Sequence, residues 1–201
     1  MKGKGLTLEV IVDTASKLVE EKGYDKFSVR ELAVRLNVQA ASLYNHIDSV
    51  DNVNLEVGRL AASRLNDTLT QATQTRTRDD ALSALAYAYR QFVRDSPELY
   101  RAIIGLPSLD RGDGLRELGR QSIRVVWDVV RQYGVDSDAA VHFSRCFRGA
   151  LHGFALLESA GYYTGSPAPS EESFRFLIRG YTDWVHSLEQ NSGPGKEAAA
   201  Q

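Results

Sequence analysis

Between positions 28 and 47 the chain carries two short runs with helical spacing, separated by a turn at Asn37 and Val38. In the second run only Leu43 and Ile47 have the spacing of an inward face. The other side chains of that run are polar, aromatic or small and are expected to point outward: Gln39, Ala40, Ser42, Tyr44, Asn45 and His46. Two helices joined by a tight turn can place one helix across a DNA backbone and the next in a major groove. The segment therefore predicts a helix-turn-helix that recognises DNA.

Local signals in the sequence support both short helices. Ser28 and Glu31 have the spacing of a capping box, in which each side chain satisfies the backbone amide of the other residue. Asn37 stands where a helix ends in a left-handed residue, a conformation that asparagine tolerates well. The second helix is too short to be stable alone. We expect an apolar preceding helix to hold it, through Leu8, Ile11, Val12, Ala15, Leu18 and Val19.

The segment from Phe27 to Asp48 resembles the DNA-binding domain of TetR-family repressors. The resemblance rests on an ordered series of fragments: Gly23-Tyr24, Ser28-Val29-Arg30-Glu31-Leu32-Ala33, Asn37-Val38, Ser42-Leu43-Tyr44 and Asp48-Ser49. Their order is far more specific than any single fragment. Two positions depart from the family pattern, because Asn37 stands in place of the turn glycine and Val50 in place of a phosphate-contacting lysine.

The resemblance implies a role in DNA binding for nine residues. Arg30 would reach a base edge, where a guanidinium suits the O6 and N7 atoms of guanine. Ala40 and Ala41 would lie against base edges, where a small apolar side chain suits a thymine methyl group. Tyr44 would contact the backbone or a base, on a recognition helix that runs from Gln39 to His46. The remaining residues would lie at phosphates, namely Val29, Ser42, Asn45 and His46.

Each of these residues alone has an ordinary structural explanation, such as a solvated helix arginine or a packing tyrosine. The net charge also gives little support to DNA binding. The whole chain has a net charge of −2, and residues 1–50 contain equal numbers of basic and acidic residues. The basic residues are Lys2, Lys4, Lys17, Lys22, Lys26, Arg30 and Arg35, and the acidic residues are Glu9, Asp13, Glu20, Glu21, Asp25, Glu31 and Asp48. Phosphate neutralisation usually dominates DNA affinity. The alternative is therefore a helical small-molecule-binding protein whose helix-turn-helix has lost DNA binding.

Composition places the chain among ordinary globular proteins, with 43% hydrophobic and 25% charged residues. No apolar run approaches the ~20 residues of a membrane span, and the amino terminus has no hydrophobic signal core. The single cysteine, Cys146, excludes an internal disulfide and fits a reducing compartment. We therefore expect a cytoplasmic protein with no membrane partner. No motif of a hydrolase, a phosphate-binding loop or a zinc protease occurs, so we expect neither an enzyme nor a cofactor.

Periodicity along the rest of the chain predicts only helices, about nine in all, hence an all-α fold. The expected later helices cover 49–73, 80–95, a segment from Pro97, 115–133, 136–160 and 171–189. Loops are expected over 107–114 and 161–169. The predicted organisation is a three-helix DNA-binding domain over 1–48, a larger ligand-binding and dimerisation domain over 49–190, and a disordered tail over 191–201.

The second half also resembles a carboxy-terminal domain type of this family that has a Trp-His-Gly signature. Here Leu151-His152-Gly153 stands at that signature, with leucine in place of tryptophan. The resemblance implies a homodimer in which the last two helices pair with their copies as a four-helix bundle. Small residues would allow close helix approach: Gly149, Ala150, Gly153, Ala155 and Gly161. The alternative is that these glycines only admit neighbouring side chains within one subunit.

A ligand pocket is expected in the second domain, since pockets in helical bundles are apolar with a few polar groups. The candidates are Tyr89, Phe92, Tyr100, Ile104, Trp127, Phe143, Phe147, His152, Glu158 and Tyr162. Core packing is an alternative role for each of them. His142 and Cys146 are four residues apart, but a metal site needs three or four ligands, so we expect no metal and a core cysteine. The sequence thus predicts a repressor that an unidentified small apolar effector releases from double-stranded operator DNA.

Overall fold

The computed structural model describes residues 5–24, 26–106, 113–165 and 167–192. Over these ranges the chain forms nine α-helices and one 3-10 helix, and no strand. The α-helices are α1 Leu8–Lys22, α2 Val29–Leu36, α3 Ala40–Leu43, α4 Val50–Thr73, α5 Arg78–Asp95, α6 Pro97–Ile104, α7 Asp113–Val130, α8 Ser137–Ser159 and α9 Ser170–Ser192. The 3-10 helix covers Arg131–Tyr133. The all-α prediction is confirmed.

Several helix boundaries follow from local signals in the sequence. The Ser49 hydroxyl accepts the amide of Asn52 at 3.1 Å at the start of α4. Asp136 caps α8 by accepting amides of its first turn. Pro97 begins α6, where a missing amide hydrogen costs nothing. Gly134 adopts φ +67° after the 3-10 helix, a conformation that favours glycine.

The chain divides into two compact units. Among the described residues, unit 1 comprises those within 1–64 and 95–118, and unit 2 comprises those within 65–94 and 119–201. This division differs from the expected domains over 1–48 and 49–190, and that assignment stays a prediction. Positions 107–112 of the expected loop lie outside the described residues, as do positions 193–201 of the expected tail. The expectation is wrong at positions 113–114 and 191–192, which are helical because α7 begins earlier and α9 ends later than predicted.

Unit 1 is built around the buried apolar face of α1. The helices α2, α3 and α4 contribute Leu32, Leu43 and Val57, each with no exposed surface. Helix α6 belongs to the same core through Leu99 and Ala102. The predicted inward face of α1 is confirmed from Ile11 to Val19, where all of its predicted residues are buried. Leu8, at the start of α1, differs because it is 41% exposed.

Unit 2 has an aromatic core between α8 and α9. The rings of Phe143 and Phe147 are stacked at 5.7 Å, and both also pack against Tyr181. The expectation of a core cysteine is wrong, because Cys146 is on the exposed side of α8. None of the described helices is both long enough and apolar enough to cross a membrane.

Candidate nucleic-acid interface

Helix α2 begins with the predicted capping box. The Ser28 hydroxyl accepts the amide of Glu31 at 3.2 Å, and the Glu31 carboxylate accepts the amide of Ser28 at 2.9 Å. Lys22 also pairs with Glu31. The hydrogen bond from Lys22, together with those from Ser28, lowers the pKa of Glu31 to about 2. The start of α2 is thus joined to the end of α1.

The turn between α2 and α3 is a left-handed asparagine. Asn37 has φ 54° and ψ 46°, and its amide donates to the carbonyl of Val34 at 3.1 Å. The amide of Val38 donates to the carbonyl of Ala33 at 3.0 Å. Asparagine therefore performs the conformational task of the family's turn glycine.

The recognition helix is shorter than predicted. Helix α3 covers only Ala40–Leu43, whereas the prediction ran from Gln39 to His46. Residues 44–46 form a turn, in which the amides of His46 and Ile47 donate to the carbonyl of Leu43 at 2.8 and 3.0 Å. The inward positions are as predicted, since Leu43 and Ile47 are buried. A four-residue helix held by two buried side chains presents its remaining surface outward.

None of the nine residues predicted to contact DNA is buried. Tyr44 is 57% exposed. The exposed residues of the set are Arg30, Gln39, Ala41, Tyr44, Asn45 and His46. The half-buried ones are Val29, Ala40 and Ser42. Their side chains lie on α2, on α3 and in the turn that follows it, and their roles in DNA binding stay predictions.

Several basic side chains of unit 1 form ion pairs within the chain. Arg35 donates to Glu21, with one distance of 3.0 Å, and Lys22 pairs with Glu31. Asp13 accepts from both Lys17 at 2.8 Å and Arg64 at 3.2 Å. Arg30, in contrast, has no ion-pair partner among the described residues. The equal numbers of basic and acidic residues in this part of the sequence do not indicate which of the charges are paired, so the difference between Arg30 and the other basic residues was not predictable.

The ten residues predicted to bind a ligand are divided between the two units. Tyr100 and Ile104 belong to unit 1, whereas the other eight belong to unit 2. Tyr162 is 76% exposed, and Phe143 and Phe147 are fully buried against each other. The remaining members are Tyr89, Phe92, Trp127, His152 and Glu158, which are buried or half-buried. Ligand binding by any of them stays a prediction.

Glu158, one of the candidate ligand residues, is paired with a side chain of α5. Its carboxylate accepts two hydrogen bonds from Arg90, a buried arginine of α5 that the sequence reasoning did not single out. Unit 2 also has an open groove of about 340 Å³ between α5 and α9. The groove is lined by Asp79, Asp80, Ser83, Tyr87, Arg175, Ile178, Arg179 and Thr182, and by none of the predicted ligand residues. The described residues contain no group of three or more potential metal ligands.

Two family profiles match this chain. Residues 11–49 match the family described as bacterial regulatory proteins, tetR family, and residues 82–181 match the tetracyclin repressor-like, C-terminal domain. The predicted resemblance of both halves to this family is thereby confirmed.

Two curated relatives span most of the chain. The uncharacterised HTH-type transcriptional regulator Rv0681 of Mycobacterium tuberculosis is 31% identical over 78% of this chain and 72% of its own length. YobS of Bacillus subtilis, which carries the same description, is 31% identical over 76% of this chain and 79% of its own length.

Solved structures share the fold. The regulatory protein SCO4313 has a TM-score of 0.72 with 25% identity, covering 87% of this chain and 94% of its own. AibR, solved with isovaleryl coenzyme A and operator DNA, has a TM-score of 0.59 with 14% identity, covering 90% of this chain and 98% of its own. At that identity the second likeness concerns the fold alone.

Proposed function

The chain belongs to the TetR family of DNA-binding transcriptional regulators, and from this premise we propose that it is a homodimeric repressor which a small apolar effector releases from operator DNA. The observation that carries the proposal is the exposed surface of α3 and its following turn, which is backed by the buried Leu43 and Ile47. A regulator of this kind acts in the cytoplasm, where its DNA lies. Residues 1–48 would read the DNA, and residues 49–190 would bind the effector and the second copy.

In the proposed complex, α3 enters a major groove and Arg30 adds a contact from α2. Arg30 suits this role because, among the described residues, it has no ion-pair partner to compete with a guanine or a phosphate. Tyr44 is exposed at the end of α3 and is available to the DNA backbone. The two alanines of α3 leave room for close approach to base edges, where a thymine methyl group would fit.

The proposed dimer uses the outward faces of α8 and α9. A Cβ atom added at Gly149, Gly153 or Gly180 would meet nothing within 4 Å. These glycines therefore do not admit neighbouring side chains within one subunit. Phe176 is 68% exposed and Leu157 is 43% exposed on the same two helices. Large exposed apolar side chains beside glycines favour contact with another helix surface, and here the proposed occupant is a second copy of the chain.

The proposed effector is uncharged and apolar. Unit 2 offers aromatic side chains from α5, α7 and α8, and its buried arginine is already neutralised by Glu158 and Glu171. An effector would act by favouring one of two subunit arrangements, in only one of which the two copies of α3 match the spacing of the half-sites. AibR, which was solved with a coenzyme A ester and operator DNA, is an example of this fold with a small molecule and DNA bound together.

The test is selection of bound sequences from a random pool of double-stranded DNA, using the full chain. We expect a palindromic consensus with two half-sites, about 10 base pairs or a multiple apart. Lys22 pairs with Glu31 and Arg35 pairs with Glu21, so these two basic side chains are already neutralised within the chain. This supports the alternative, a helical ligand-binding protein whose helix-turn-helix has lost DNA binding. Failure to enrich any sequence, together with salt-independent and negligible binding to random DNA, would establish that alternative.

A further inference from the structure

A buried arginine lies at the centre of unit 2. Arg90, on α5, is 3% exposed. Its Nε and one terminal nitrogen donate to the two carboxylate oxygens of Glu158 at 2.7 and 2.6 Å, and its other terminal nitrogen donates to Glu171 at 2.6 Å. These hydrogen bonds lower the pKa of both carboxyl groups, so both stay ionised at neutral pH. The arginine is therefore fully paired.

The surroundings of Arg90 fix its orientation as well as its charge. The guanidinium carbon lies 4.5 Å from the ring centroid of Phe174 and 5.5 Å from that of Phe154. The hydroxyl of Ser170 donates to Glu158 at 2.7 Å, and that of Tyr87 donates to Glu171 at 2.9 Å. A planar guanidinium held by a two-bond carboxylate pair and by aromatic faces has one well-defined position, which a lysine could not reproduce.

The partners of Arg90 come from both sides of one chain reversal. Glu158 and Phe154 lie near the end of α8, and Glu171 and Phe174 lie near the start of α9. A single side chain of α5 therefore holds the two ends of the α8–α9 hairpin together. Replacing a buried ion pair by apolar side chains is often neutral or stabilising. A gain in stability alone therefore does not explain the buried ion pairs of Arg90. They are explained if their function is to fix the orientation of α8 relative to α9.

We propose that Arg90 is a positioning residue for assembly: it holds α8 and α9 in the relative orientation that the second copy of the chain recognises. This inference rests on the homodimer proposed above. The proposed dimer surface includes Gly149 and Gly153 on α8, where an added Cβ would meet nothing within 4 Å, and the exposed Phe176 on α9, so it draws on both helices.

The experiment uses the full chain with Arg90→Met, and measures the dimer dissociation constant by sedimentation and hydrogen exchange over residues 158–174 by mass spectrometry. We expect the dissociation constant to rise at least about tenfold and exchange over 158–174 to accelerate. The matched control is Arg175→Met. Arg175 pairs with the same Glu171 at 3.3 Å, but its side chain is 65% exposed, so both readouts should match the unmodified chain.

A second variant separates positioning from folding. Arg90→Met alone leaves Glu158 unpaired, which can destabilise the fold. The double variant Arg90→Met, Glu158→Met removes that unpaired charge, so its helix content should match that of the unmodified chain while its dimer stays weakened. An unchanged dissociation constant in a folded double variant would overturn the inference. If the unmodified chain is itself monomeric, the proposed homodimer fails, and unchanged exchange over 158–174 in Arg90→Met would then overturn hairpin positioning separately.

Discussion

Glu20 and Glu98 are reciprocal caps, since each accepts a backbone amide from the segment that carries the other. Glu20 on α1 accepts the amide of Leu99 on α6 at 2.7 Å. Glu98 on α6 accepts the amide of Tyr24, just beyond α1, at 2.8 Å. Burial raises the pKa of Glu20 despite the Leu99 hydrogen bond, and the charge of Glu98 adds to this. This pair of hydrogen bonds joins α6 to the end of α1 within unit 1.

The first prediction compares two substitutions at Glu20. Glu20→Ala leaves the amide of the buried Leu99 without an acceptor, so the free energy of unfolding should fall by about 1–3 kcal/mol. Glu20→Gln keeps an oxygen acceptor and removes both the partly buried charge and its repulsion with Glu98, and should cost less. Urea unfolding at pH 7 measures both variants. Equal losses would show that the hydrogen bond to Leu99 does not matter.

The Glu20 pair also has a pH signature. The folded pKa of Glu20 is raised, so the folded state binds its proton more tightly than the unfolded state does. The contribution of Glu20 to stability is therefore greatest at low pH and is lost as pH rises through the folded pKa. The free energy of unfolding of Glu20→Gln, relative to that of the unmodified chain, should consequently be more favourable at pH 7 than near pH 4.

The second prediction concerns the contact between α4 and α6. A Cβ atom at Gly58 would lie 2.6 Å from a methyl carbon of Leu106 and 2.9 Å from the carbonyl oxygen of Ala102. Gly58→Ala should therefore lower the free energy of unfolding by about 1–3 kcal/mol, measured by urea unfolding. Asp67→Ala, at an exposed position of the same helix, is the control and should change it by less than about 0.5 kcal/mol. A gain of about 1 kcal/mol, as helix propensity alone predicts, would contradict this packing.

The third prediction tests the DNA-contacting residues. Arg30→Ala should weaken binding to the selected operator by about 1–3 kcal/mol and relax the preference for one base pair. Tyr44→Ala should also abolish operator retention in a gel-shift assay, with the dimer intact by sedimentation. Arg35→Ala is the matched control on α2, because Arg35 already donates to Glu21 at 3.0 Å. Retention by Arg30→Ala equal to that of Arg35→Ala would remove Arg30 from the proposed interface.

The parts of the structure that were predictable from the sequence depend on contacts a few residues apart. Ser28 and Glu31 are three residues apart, and the left-handed Asn37 directly ends its helix, so both signals are local. The shortness of α3 was missed because the apolar spacing of Leu43 and Ile47 is also compatible with a longer helix. Periodicity gives the buried face of a segment but not where its backbone leaves the helix.

The contacts that escaped prediction join distant parts of the chain. Leu99 is 79 residues from Glu20, so nothing in the sequence around α6 indicates that it packs in unit 1. Arg90 is 68 residues from Glu158, and arginine is a residue type expected at the surface. Tyr162 was also chosen as a pocket candidate from its aromatic residue type, but its side chain is mostly exposed. Such pairings require knowledge of which helices are neighbours, which periodicity does not provide.

The fourth prediction is a pH dependence in unit 2 that comes from one histidine. The Nε2 atom of His186 lies 2.9 and 3.0 Å from the two carboxylate oxygens of Asp79, and its Nδ1 lies 3.2 Å from Glu189. The hydrogen bond to Asp79 raises the pKa of His186, and Glu189 adds to this. The other titratable neighbours are the charged Arg78, which donates to Glu189, and the neutral Tyr133, which donates to Asp79. Burial raises the pKa of Tyr133, so neither neighbour changes charge between pH 6 and 9.

A raised histidine pKa stabilises the folded state at low pH. The contribution is fully present below the ordinary histidine pKa of about 6.5 and is lost as pH rises through the folded pKa of His186. The thermal midpoint, followed by circular dichroism, should therefore fall as pH rises from about 7 to 9, above the ordinary histidine pKa. His186→Asn should flatten that part of the profile, whereas His46→Asn, at an exposed position in unit 1, should leave it unchanged. If His186→Asn follows the profile of the unmodified chain, the ion pair with Asp79 does not contribute to the stability of unit 2.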